Sequence, residues 1–455
     1  MQQAGSVADL GTLLPVWSAL PFVGMLLSIA VLPMLAPRVW HHRYPAITAA
    51  WGLLFALPFA ARFGDVALHE LLQVALVDYV PFLVLIATLF TIGGGIHIRG
   101  SVRGTPATNA AIMGIGSALA SLVGTTGAAM VTIRPLLRAN RFRRHRAHTV
   151  VFFTFLVANV GGGLTPLGDP PLFLGFLHGV PFFWTLRLWK HVLVCAAVVL
   201  VVYVLCDLWQ WRREDGVARQ RHAAEEEPLR IEGAINLLLL LAVVAAVGGS
   251  GLWHGKALRV LGVYETTGNA LRDLVLLAIL VLSWKLTPDS VRAANAFSWA
   301  PIKEVGILFA GVFVTMIPAV VMLRAGEQGA LACVVRTVDS PAHFFWASGL
   351  LSSFLDNAPT YLTFLSTAVG RLFPGAPESQ GIARLILEHP EFLVAISTGS
   401  VFMGANTYIG NAPNFMVKTI AEEAGVPMPS FFGYILRYSV PVLVPTFAAM
   451  TWIFY

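Results

Sequence analysis

The stretch Gly161-Gly-Gly-Leu-Thr-Pro-Leu-Gly-Asp-Pro-Pro171 interrupts an otherwise apolar segment of the chain. Because proline removes backbone N–H donors and glycine weakens a helix, we predict that the backbone unwinds here. Unwound backbone at membrane depth is tolerated only where it is buried in protein or lines a water-filled cavity. Asp169, a carboxylate inside such a break, is therefore a candidate functional residue. The helix-breaking positions are Gly161, Gly162, Gly163, Pro166, Gly168, Pro170 and Pro171.

The composition places this break inside a membrane protein. The chain has 455 residues, of which 57% are hydrophobic and only 12% are charged. Soluble domains carry about 25% charged residues, so we predict an all-α polytopic membrane protein. The net charge of +6 comes from basic residues in short loops between apolar segments. Membrane topology explains that pattern, and we expect the lipid bilayer, not nucleic acid, as the partner.

About ten segments are long enough to cross a hydrocarbon core of about 30 Å. Two further segments, 106–134 and 342–372, are too long for one span and are interrupted near the middle. The predicted spans are 16–35, 46–63, 79–98, 149–180 (broken), 187–208, 231–250, 272–286, 301–324, 391–423 (broken) and 433–455.

Arginine-rich loops orient these spans, because cytoplasmic loops carry an excess of Lys and Arg. The loop at 64–78 is acidic and should face outward. Residues 1–14 lack the basic region of a signal peptide, so we expect the first span to be retained. The resulting prediction is a multi-pass protein of a bacterial-type cytoplasmic (inner) membrane with both termini outside. The loop arginines predicted to face the cytoplasm are Arg38, Arg43, Arg99, Arg103, Arg134, Arg138, Arg141, Arg143, Arg144, Arg146, Arg212, Arg213, Arg219 and Arg221.

The segment 106–134 lies between two loops that both belong inside, at 99–103 and 134–146. Two full crossings would need about 40 residues at 1.5 Å per residue, and only about 30 lie between these loops. We therefore predict a re-entrant hairpin over 106–134 with its tip at Gly124-Thr-Thr-Gly127. The segment 342–372 is its counterpart on the outer side.

The second half of the chain repeats the first. Gly162-Gly-Leu-Thr-Pro-Leu-Gly-Asp-Pro-Pro-Leu-Phe173 aligns without gaps to Gly404-Ala-Asn-Thr-Tyr-Ile-Gly-Asn-Ala-Pro-Asn-Phe415, which places Asp169 on Asn411. The hairpins align as well, with Ser121, Thr125 and Thr126 on Ser352, Asp356 and Asn357. The helix-breaking positions of the second half are Pro359, Gly404, Gly410 and Pro413.

These features predict four regions and an inverted repeat. Residues 1–78 form N-terminal spans, 79–208 form repeat 1, 209–300 form connecting spans and 301–455 form repeat 2. The two hairpins enter from opposite sides, so the repeats have opposite orientations. Inverted repeats whose broken helices meet at the midplane are typical of secondary transporters.

Two carboxylates and a set of neutral oxygen ligands are expected near that midplane. Asp169 and Asp356 are candidates for binding an ion or a proton, although each could instead cap the helix that follows it. The neutral side chains suit a hard cation, although Ser, Thr and Asn also join transmembrane helices. They are Thr125, Thr126, Asn159, Thr165, Asn357, Asn406, Thr407, Asn411 and Asn414.

Four motifs resemble those of the ion transporter superfamily: Thr125-Thr-Gly-Ala-Ala-Met130 with Ile133-Arg-Pro135, Gly161–Pro171, Leu355-Asp-Asn-Ala-Pro359, and Gly404-Ala-Asn-Thr-Tyr-Ile-Gly-Asn411. Within it, the chain most resembles the NhaD-type sodium/proton antiporters, with the arsenite-permease and citrate-transporter groups as relatives. The resemblance covers roughly 79–455. It implies two re-entrant hairpins, two broken helices, and a homodimer whose transport domains move as elevators.

One departure bears on the substrate. Dicarboxylate carriers of this superfamily have Ser-Asn-Thr at both hairpin tips, whereas these tips read Thr125-Thr-Gly127 and Asp356-Asn-Ala358. Two like charges about 4 Å apart repel by roughly 4 kcal/mol in a partly shielded site. The aspartate therefore favours a cation over citrate.

The leading hypothesis is exchange of Na⁺ (or Li⁺) for H⁺, with Na⁺ held by the residues named above and no bound cofactor. A Na⁺-coupled di- or tricarboxylate importer and an arsenite exporter remain alternatives, and a channel or structural component is disfavoured by the paired inverted breaks. The spans contain no convergent Ser/His/Asp set or metal-ligand cluster, so we do not expect an enzyme.

Overall fold

The computed structural model describes residues 7–214, 227–253 and 255–455. Arg219 and Arg221, which were counted in a cytoplasmic loop, lie outside the described residues. In chain order the helices are Val7–Leu13, Val16–Ala19, Leu20–Leu35, Pro37–Phe63, Asp65–Gln73, Val74–Tyr79, Val80–Gly93, Pro106–Val123, Thr125–Ala139, Ala147–Leu156, Val160–Leu164, Pro170–Leu177, Phe182–Leu188, Trp189–Arg212, Ile235–Leu252, Thr267–Leu286, Asp289–Ala294, Ala300–Arg324, Gly326–Gln328, Ala332–Thr337, Pro341–Phe354, Asn357–Leu372, Glu378–Glu388, Pro390–Met403, Gly404–Asn406, Ala412–Glu423, Phe431–Tyr434, Ile435–Leu443 and Val444–Phe454.

The predicted class, an all-α polytopic membrane protein, is confirmed. Among the described residues, nine helices are long and apolar enough to cross a membrane, and a bent pair at Glu378–Asn406 raises the number to ten. The weakest predicted span, 272–286, belongs to a 20-residue helix, Thr267–Leu286, which is not among those nine, whereas Pro106–Val123 of the predicted hairpin is. At 1.5 Å per residue the helix Thr267–Leu286 is about 30 Å long, which matches the thickness of the hydrocarbon core.

Two small antiparallel sheets depart from the predicted pattern. The span predicted at 79–98 ends as a helix at Gly93, and strand β1 (His97–Ser101) then pairs with strand β2 (Glu227–Glu232). Strand β3 (Ala257–Val260) pairs with strand β4 (Val263–Thr266). Glycines at 94 and 95 end the helix before the sequence becomes polar, which explains why the apolar stretch overestimated its length.

Both predicted hairpins are present as pairs of contacting helices. Hairpin 1 consists of Pro106–Val123 and Thr125–Ala139, and Gly124 makes the turn with a φ of +80° that favours glycine. Hairpin 2 consists of Pro341–Phe354 and Asn357–Leu372. The turn of hairpin 1 is shorter than the predicted tip, because Thr125 already belongs to the second helix.

The two broken spans lie at the centre of the protein. Broken span 1 runs from Ala147 to Leu177 and broken span 2 from Pro390 to Glu423, and each contains a short 3-10 helix at its break. Within the apolar window of broken span 1, 89% of residues are buried, against 17% for Pro37–Phe63. The core therefore surrounds the breaks, and the N-terminal spans lie at its edge.

Each hairpin packs on both broken spans in the same way. The first helix of hairpin 1 contacts the 3-10 helix of broken span 1, and its second helix contacts the second half of broken span 2. Hairpin 2 makes the reciprocal contacts, with the 3-10 helix of broken span 2 and with the second half of broken span 1. This exchange is the arrangement expected of two inverted repeats.

Loops predicted to share a side of the membrane lie on the same side of the protein. Strand β1 pairs with strand β2, and the Arg146 guanidinium donates a hydrogen bond to the Gly425 carbonyl at 2.9 Å. Both strands and both residues belong to the end of the protein that is predicted to be cytoplasmic. At the other end, His178 contacts both Asp78 and Glu378. The identification of the first end as cytoplasmic stays a prediction from the arginine distribution.

A buried ionic cluster fixes hairpin 1 to the span Trp189–Arg212. The Arg143 guanidinium binds both carboxylate oxygens of Asp207, at 2.5 and 2.9 Å, and neither side chain is exposed. His148, Tyr203 and Asn109 also contact this carboxylate, at 2.8, 3.0 and 3.3 Å. Arg143 does lie in the predicted loop, between the helices that end at Ala139 and begin at Ala147, but its guanidinium is enclosed by these partners.

Replacing Asp207 with asparagine should destabilise the protein strongly. Removing one partner of a buried ion pair leaves the other charge unpaired, which costs about 3–5 kcal/mol. We expect a clearly lower melting temperature of the purified protein in detergent. The matched control, Glu422→Gln, removes one partner of the exposed pair with Lys418 and should cost less than about 1 kcal/mol. Equal effects of the two substitutions would contradict the assignment.

Candidate functional site

Four helix N-termini converge between the two breaks. They belong to the second helices of the hairpins, which begin at Thr125 and Asn357, and to the second halves of the broken spans, which begin at Pro170 and Ala412. Free backbone N–H groups at a helix N-terminus favour negative charge. The carboxylate of Asp169 lies among these four ends.

Asp169 receives hydrogen bonds from three different elements. Its Oδ1 accepts from the hydroxyl of Thr125 in hairpin 1 and from the amide of Asn411 in broken span 2, both at 3.1 Å. Its Oδ2 accepts from the amide of Asn357 in hairpin 2 at 2.5 Å. Asp169 itself is only 1% exposed. One carboxylate therefore joins both hairpins and both broken spans.

The structure separates the two interpretations that the sequence left open for each aspartate. Asp169 occupies the N-cap position of Pro170–Leu177, but its side chain makes no capping hydrogen bond. Asp356 does cap, because its carboxylate accepts from the N–H of Ala358 at 3.1 Å. Asp356 is half-buried and lies close enough to Asp169 for the two charges to interact. The capping alternative thus holds for Asp356 and fails for Asp169.

Three asparagine side chains form a hydrogen-bonded group next to the Asp169 carboxylate. The amide of Asn159 donates to Asn414 Oδ1 at 2.8 Å, and the amide of Asn414 donates to the carbonyls of Gly404 and Thr407. Asn411 donates to Asn159 Oδ1 at 3.3 Å as well as to Asp169. Asn159 and Asn414 are fully buried; the Asn414 amide satisfies carbonyls that the break in broken span 2 exposes, and the Asn159 amide donates to the Thr154 carbonyl of broken span 1 at 2.8 Å.

Threonine hydroxyls attach each break to its own hairpin. Thr165 donates to the carbonyl of Ser121, and Thr407 donates to the carbonyl of Ser353 at 2.5 Å. In the other direction, Ser121 donates to the Gly161 carbonyl and Ser353 to the Met403 carbonyl. These two predicted site residues therefore hold the breaks in place, whereas the hydrogen bonds to Asp169 come from Thr125, Asn357 and Asn411.

This pattern corrects the alignment of the hairpins by one residue. Ser121 corresponds to Ser353, not to Ser352, so Thr125 corresponds to Asn357 and Gly124 to Asp356. The two equivalent residues, Thr125 and Asn357, both donate to Asp169. Adjacent serines at 352 and 353 made the two registers indistinguishable from the sequence.

Close contacts within each break require glycine. A Cβ at Gly168 would lie 2.2 Å from the Gly162 carbonyl oxygen, and a Cβ at Gly410 would lie 2.5 Å from the equivalent oxygen of Gly404. Contacts this short force the backbone to shift. The glycines predicted as helix breakers thus also bring two backbone segments together.

A small cavity of about 100 Å³ borders the site on the side of hairpin 1. Thr125, Thr126 and Asp169 line it together with apolar side chains of Val80–Gly93 and of the first turns of Ala300–Arg324. None of the described residues that line it is Lys, Arg or His. Thr126 is half-buried and faces the cavity, where its hydroxyl is available to a ligand.

In the part of the chain that the structure describes, two amide oxygens of predicted site residues have no hydrogen-bond partner. Asn357 Oδ1 and Asn406 Oδ1 are both buried and unpaired, although the nitrogens of these amides donate to Asp169 and to Ser353. An unpaired buried oxygen is costly unless a ligand or water satisfies it. The oxygens suit a hard cation, together with the carboxylates of Asp169 and Asp356.

The sequence-predicted site residues fall into three groups. Asp169, Thr125, Asn357 and Asn411 are joined by hydrogen bonds; Asn159, Asn414, Thr165 and Thr407 hold the surrounding backbone; Asp356, Thr126 and Asn406 lie at the edge. Sequence reasoning missed the roles of Ser121 and Ser353, although their place one turn before each hairpin tip was a usable signal.

The substitution Gly168→Ala should distort the break. Because the added methyl group would meet a backbone oxygen, we expect a loss of about 1–3 kcal/mol in the free energy of unfolding. Gly114→Ala is the matched control, since nothing lies within 4 Å of its Cβ position and alanine favours a helix. Thermal unfolding in detergent measures the stability of both variants. A Gly168→Ala variant as stable as the wild type would contradict the close contact between Gly168 and Gly162.

Comparison with known proteins agrees with this architecture. Residues 11–455 match the family described as "Putative citrate transport". A "46 kDa membrane protein" of Mycobacterium leprae (strain TN) is 26% identical over 349 residues, which cover 74% of this chain and 73% of that protein. The match to the family spans nearly the whole chain, including both hairpins and both broken spans. The protein therefore belongs to this citrate-transport family of ion transporters and is a multi-pass membrane protein.

Proposed function

We propose that the protein is a secondary transporter that exchanges Na⁺ (or Li⁺) for H⁺ across a bacterial-type cytoplasmic membrane. The observation that supports this most is Asp169, a buried carboxylate of broken span 1 that caps no helix and accepts hydrogen bonds from both hairpins and from broken span 2. The described lining of the adjacent cavity offers no cationic side chain for an anionic substrate.

In the proposed exchange, Asp169 binds either Na⁺ or a proton. When deprotonated, its carboxylate and the unpaired oxygens of Asn357 and Asn406 would supply ligands for a cation. When protonated, it would lose the negative charge that holds the cation. Competition between the two ions for one carboxylate couples the fluxes without a separate proton pathway. Asp356 would add charge at the edge of the site.

The wider proposal follows the resemblance to NhaD-type antiporters. The protein would work as a homodimer, both termini would lie outside, and the hairpins and broken spans would move as an elevator against the remaining helices. Two observations are compatible with such movement. The cavity beside Asp169 lies between these elements and the helices Val80–Gly93 and Ala300–Arg324, and the surface that these two helices present to it is apolar.

Sodium-coupled transport of a di- or tricarboxylate is the second candidate. The family description favours it, and four converging helix N-termini would stabilise carboxylate groups. Against it, the donors of Thr125, Asn357 and Asn411 are already bound to Asp169. A citrate ion would also meet the negative charges of Asp169 and Asp356. Uptake of labelled citrate into proteoliposomes, driven by a Na⁺ gradient, would support this candidate over cation exchange.

The two aspartates should differ in importance. Asp169→Asn places an amide N–H against the N–H groups of Asn357 or Asn411, so exchange should fall by at least about 100-fold, or about 2.7 kcal/mol. Asp356→Asn should keep part of the activity, because an asparagine oxygen still accepts from Ala358 N–H. The measurement is Na⁺-induced fluorescence change of a pH dye in proteoliposomes.

The control for these variants is Asp339→Asn, which changes an exposed aspartate paired with His343 and should leave exchange unchanged. Full activity of Asp169→Asn would refute the proposed site. A wild-type protein that shows no response to Na⁺ or Li⁺ from mildly acidic to alkaline pH would refute cation exchange itself.

Competition also predicts how Na⁺ affinity depends on pH. Over the range in which the proton occupies the shared carboxylate, each unit of acidification should raise the half-maximal Na⁺ concentration by up to about tenfold. The maximal rate at saturating Na⁺ should change much less. Measuring exchange against Na⁺ concentration at several pH values tests this. A half-maximal concentration that is independent of pH would show that the two ions use separate sites.

A further inference from the structure

A second cavity, of about 420 Å³, lies at the end of the protein that is predicted to face outward. Charged side chains from four parts of the chain line it, and none of them belongs to the site around Asp169. We call them the His178 cluster: Glu70, Asp78, His178, Arg324 and Glu378.

His178 joins the two sides of this cavity. It lies in the loop that follows broken span 1, and its Nδ1 contacts Glu378 Oε1 at 2.9 Å. Its Nε2 lies 3.2 Å from Asp78 Oδ1, on the helix Val74–Tyr79. The Glu378 carboxylate is also bound by Arg324 at 2.5 Å. One imidazole therefore connects the end of broken span 1 to the helix Val74–Tyr79, which belongs to neither a hairpin nor a broken span.

The rest of the cluster is rich in carboxylates. Glu70 is 7% exposed; among the described residues its Oε1 has no hydrogen-bond partner, and the His69 imidazole lies 3.7 Å away. Three carboxylates thus face the Arg324 guanidinium and two imidazoles, of which only His178 lines the cavity. Such surroundings favour the protonated, positively charged form of His178.

We propose that His178 is a second proton-binding site, distinct from Asp169, and that its proton latches the outer ends of the repeat elements to the helices Asp65–Tyr79 and Ala300–Arg324. When charged, the ring holds Asp78 and Glu378 together. When neutral, it no longer attracts both carboxylates by its charge, and their repulsion with Glu70 favours a wider cavity. The latch would regulate the movement of the hairpins and broken spans against the remaining helices. This regulatory role rests on the proposed transport function.

The direction of the pH effect follows from linkage. Burial lowers the pKa of His178, but Asp78 and Glu378 outweigh burial and raise it from 6.5 to about 10. In an open cavity the ring would return toward its ordinary pKa, so the latched form binds the proton more tightly. The latch is then complete below about pH 6.5 and is lost as the pH rises through about 10. Between these limits, each pH unit should lower the latched-to-open ratio by up to about tenfold.

The test measures the distance across the cavity in the full-length protein. Spin labels at Leu68→Cys and Leu387→Cys, exposed positions on the helices that carry Glu70 and Glu378, would report opening after the exposed Cys206 and Cys333 are replaced by serine. We expect one short distance at pH 6.5 and an increasing longer population toward pH 10, with no Na⁺ present. A distance distribution that does not change over this range would overturn the proposal.

Three variants make the assignment specific. His178→Gln should show the longer distance already at pH 6.5, and His178→Arg, whose charge does not titrate in this range, should keep the short distance at pH 9.5. His343→Gln, which changes an exposed histidine paired with Asp339, should titrate like the wild type. A wild-type titration retained in His178→Gln would overturn the latch.

The latch and the transport proposal fail in different ways. Missing Na⁺-dependent proton movement in proteoliposomes would refute the exchange function, whatever the label distances show. A pH-independent label distance would refute the latch even if exchange is observed. If both hold, exchange by His178→Arg at pH 9.5 should be lower than exchange by the wild type, whose latched fraction falls toward pH 10.

Discussion

The burial of one carboxylate constrains the centre of this protein. An aspartate removed from water must be compensated by hydrogen bonds or a bound cation, because an isolated buried charge is costly. Asp169 obtains its donors from both hairpins and from the opposite broken span. Neither hairpin alone could satisfy it. The carboxylate therefore requires the two inverted repeats to meet with their helix ends in register, and the glycine contacts and threonine hydrogen bonds at each break maintain that arrangement.

The site is built symmetrically but charged asymmetrically. Thr125 and Asn357 occupy equivalent positions, and so do Asp169 and Asn411, yet all of the other three donate to Asp169. The inverted repeat thus supplies the scaffold, and differences between its halves supply one negative charge with neutral partners. Such a site can exchange a proton for a monovalent cation with little rearrangement. The family description concerns citrate, and the donors now bound to Asp169 would have to be released before they could hold it.

Ionic clusters lie on both sides of the central site. The Asp207 cluster is fully enclosed and joins elements of repeat 1 to each other, which suits a fixed structural role. The His178 cluster borders a cavity and joins repeat elements to helices outside them, and it leaves a glutamate oxygen without a partner. The Asp207 cluster resists change because it is enclosed, whereas the His178 cluster can respond to protons because it borders a cavity of about 420 Å³.

The sequence by itself determined the membrane class, the hairpins, the two breaks and the inverted repeat, because hydropathy, glycine, proline and arginine act locally along the chain. It also identified Asp169 as a candidate site residue and predicted that the hairpin tips and the two breaks meet near it. Only the tertiary structure decided that Asp169 caps no helix while Asp356 does, that Ser121 corresponds to Ser353, and that Arg143 is buried against Asp207. These facts depend on which side chains from distant segments come into contact, and a local sequence pattern does not determine such contacts. His178 illustrates the limit: its partners lie 100 and 200 residues away, and only folding brings them to one cavity.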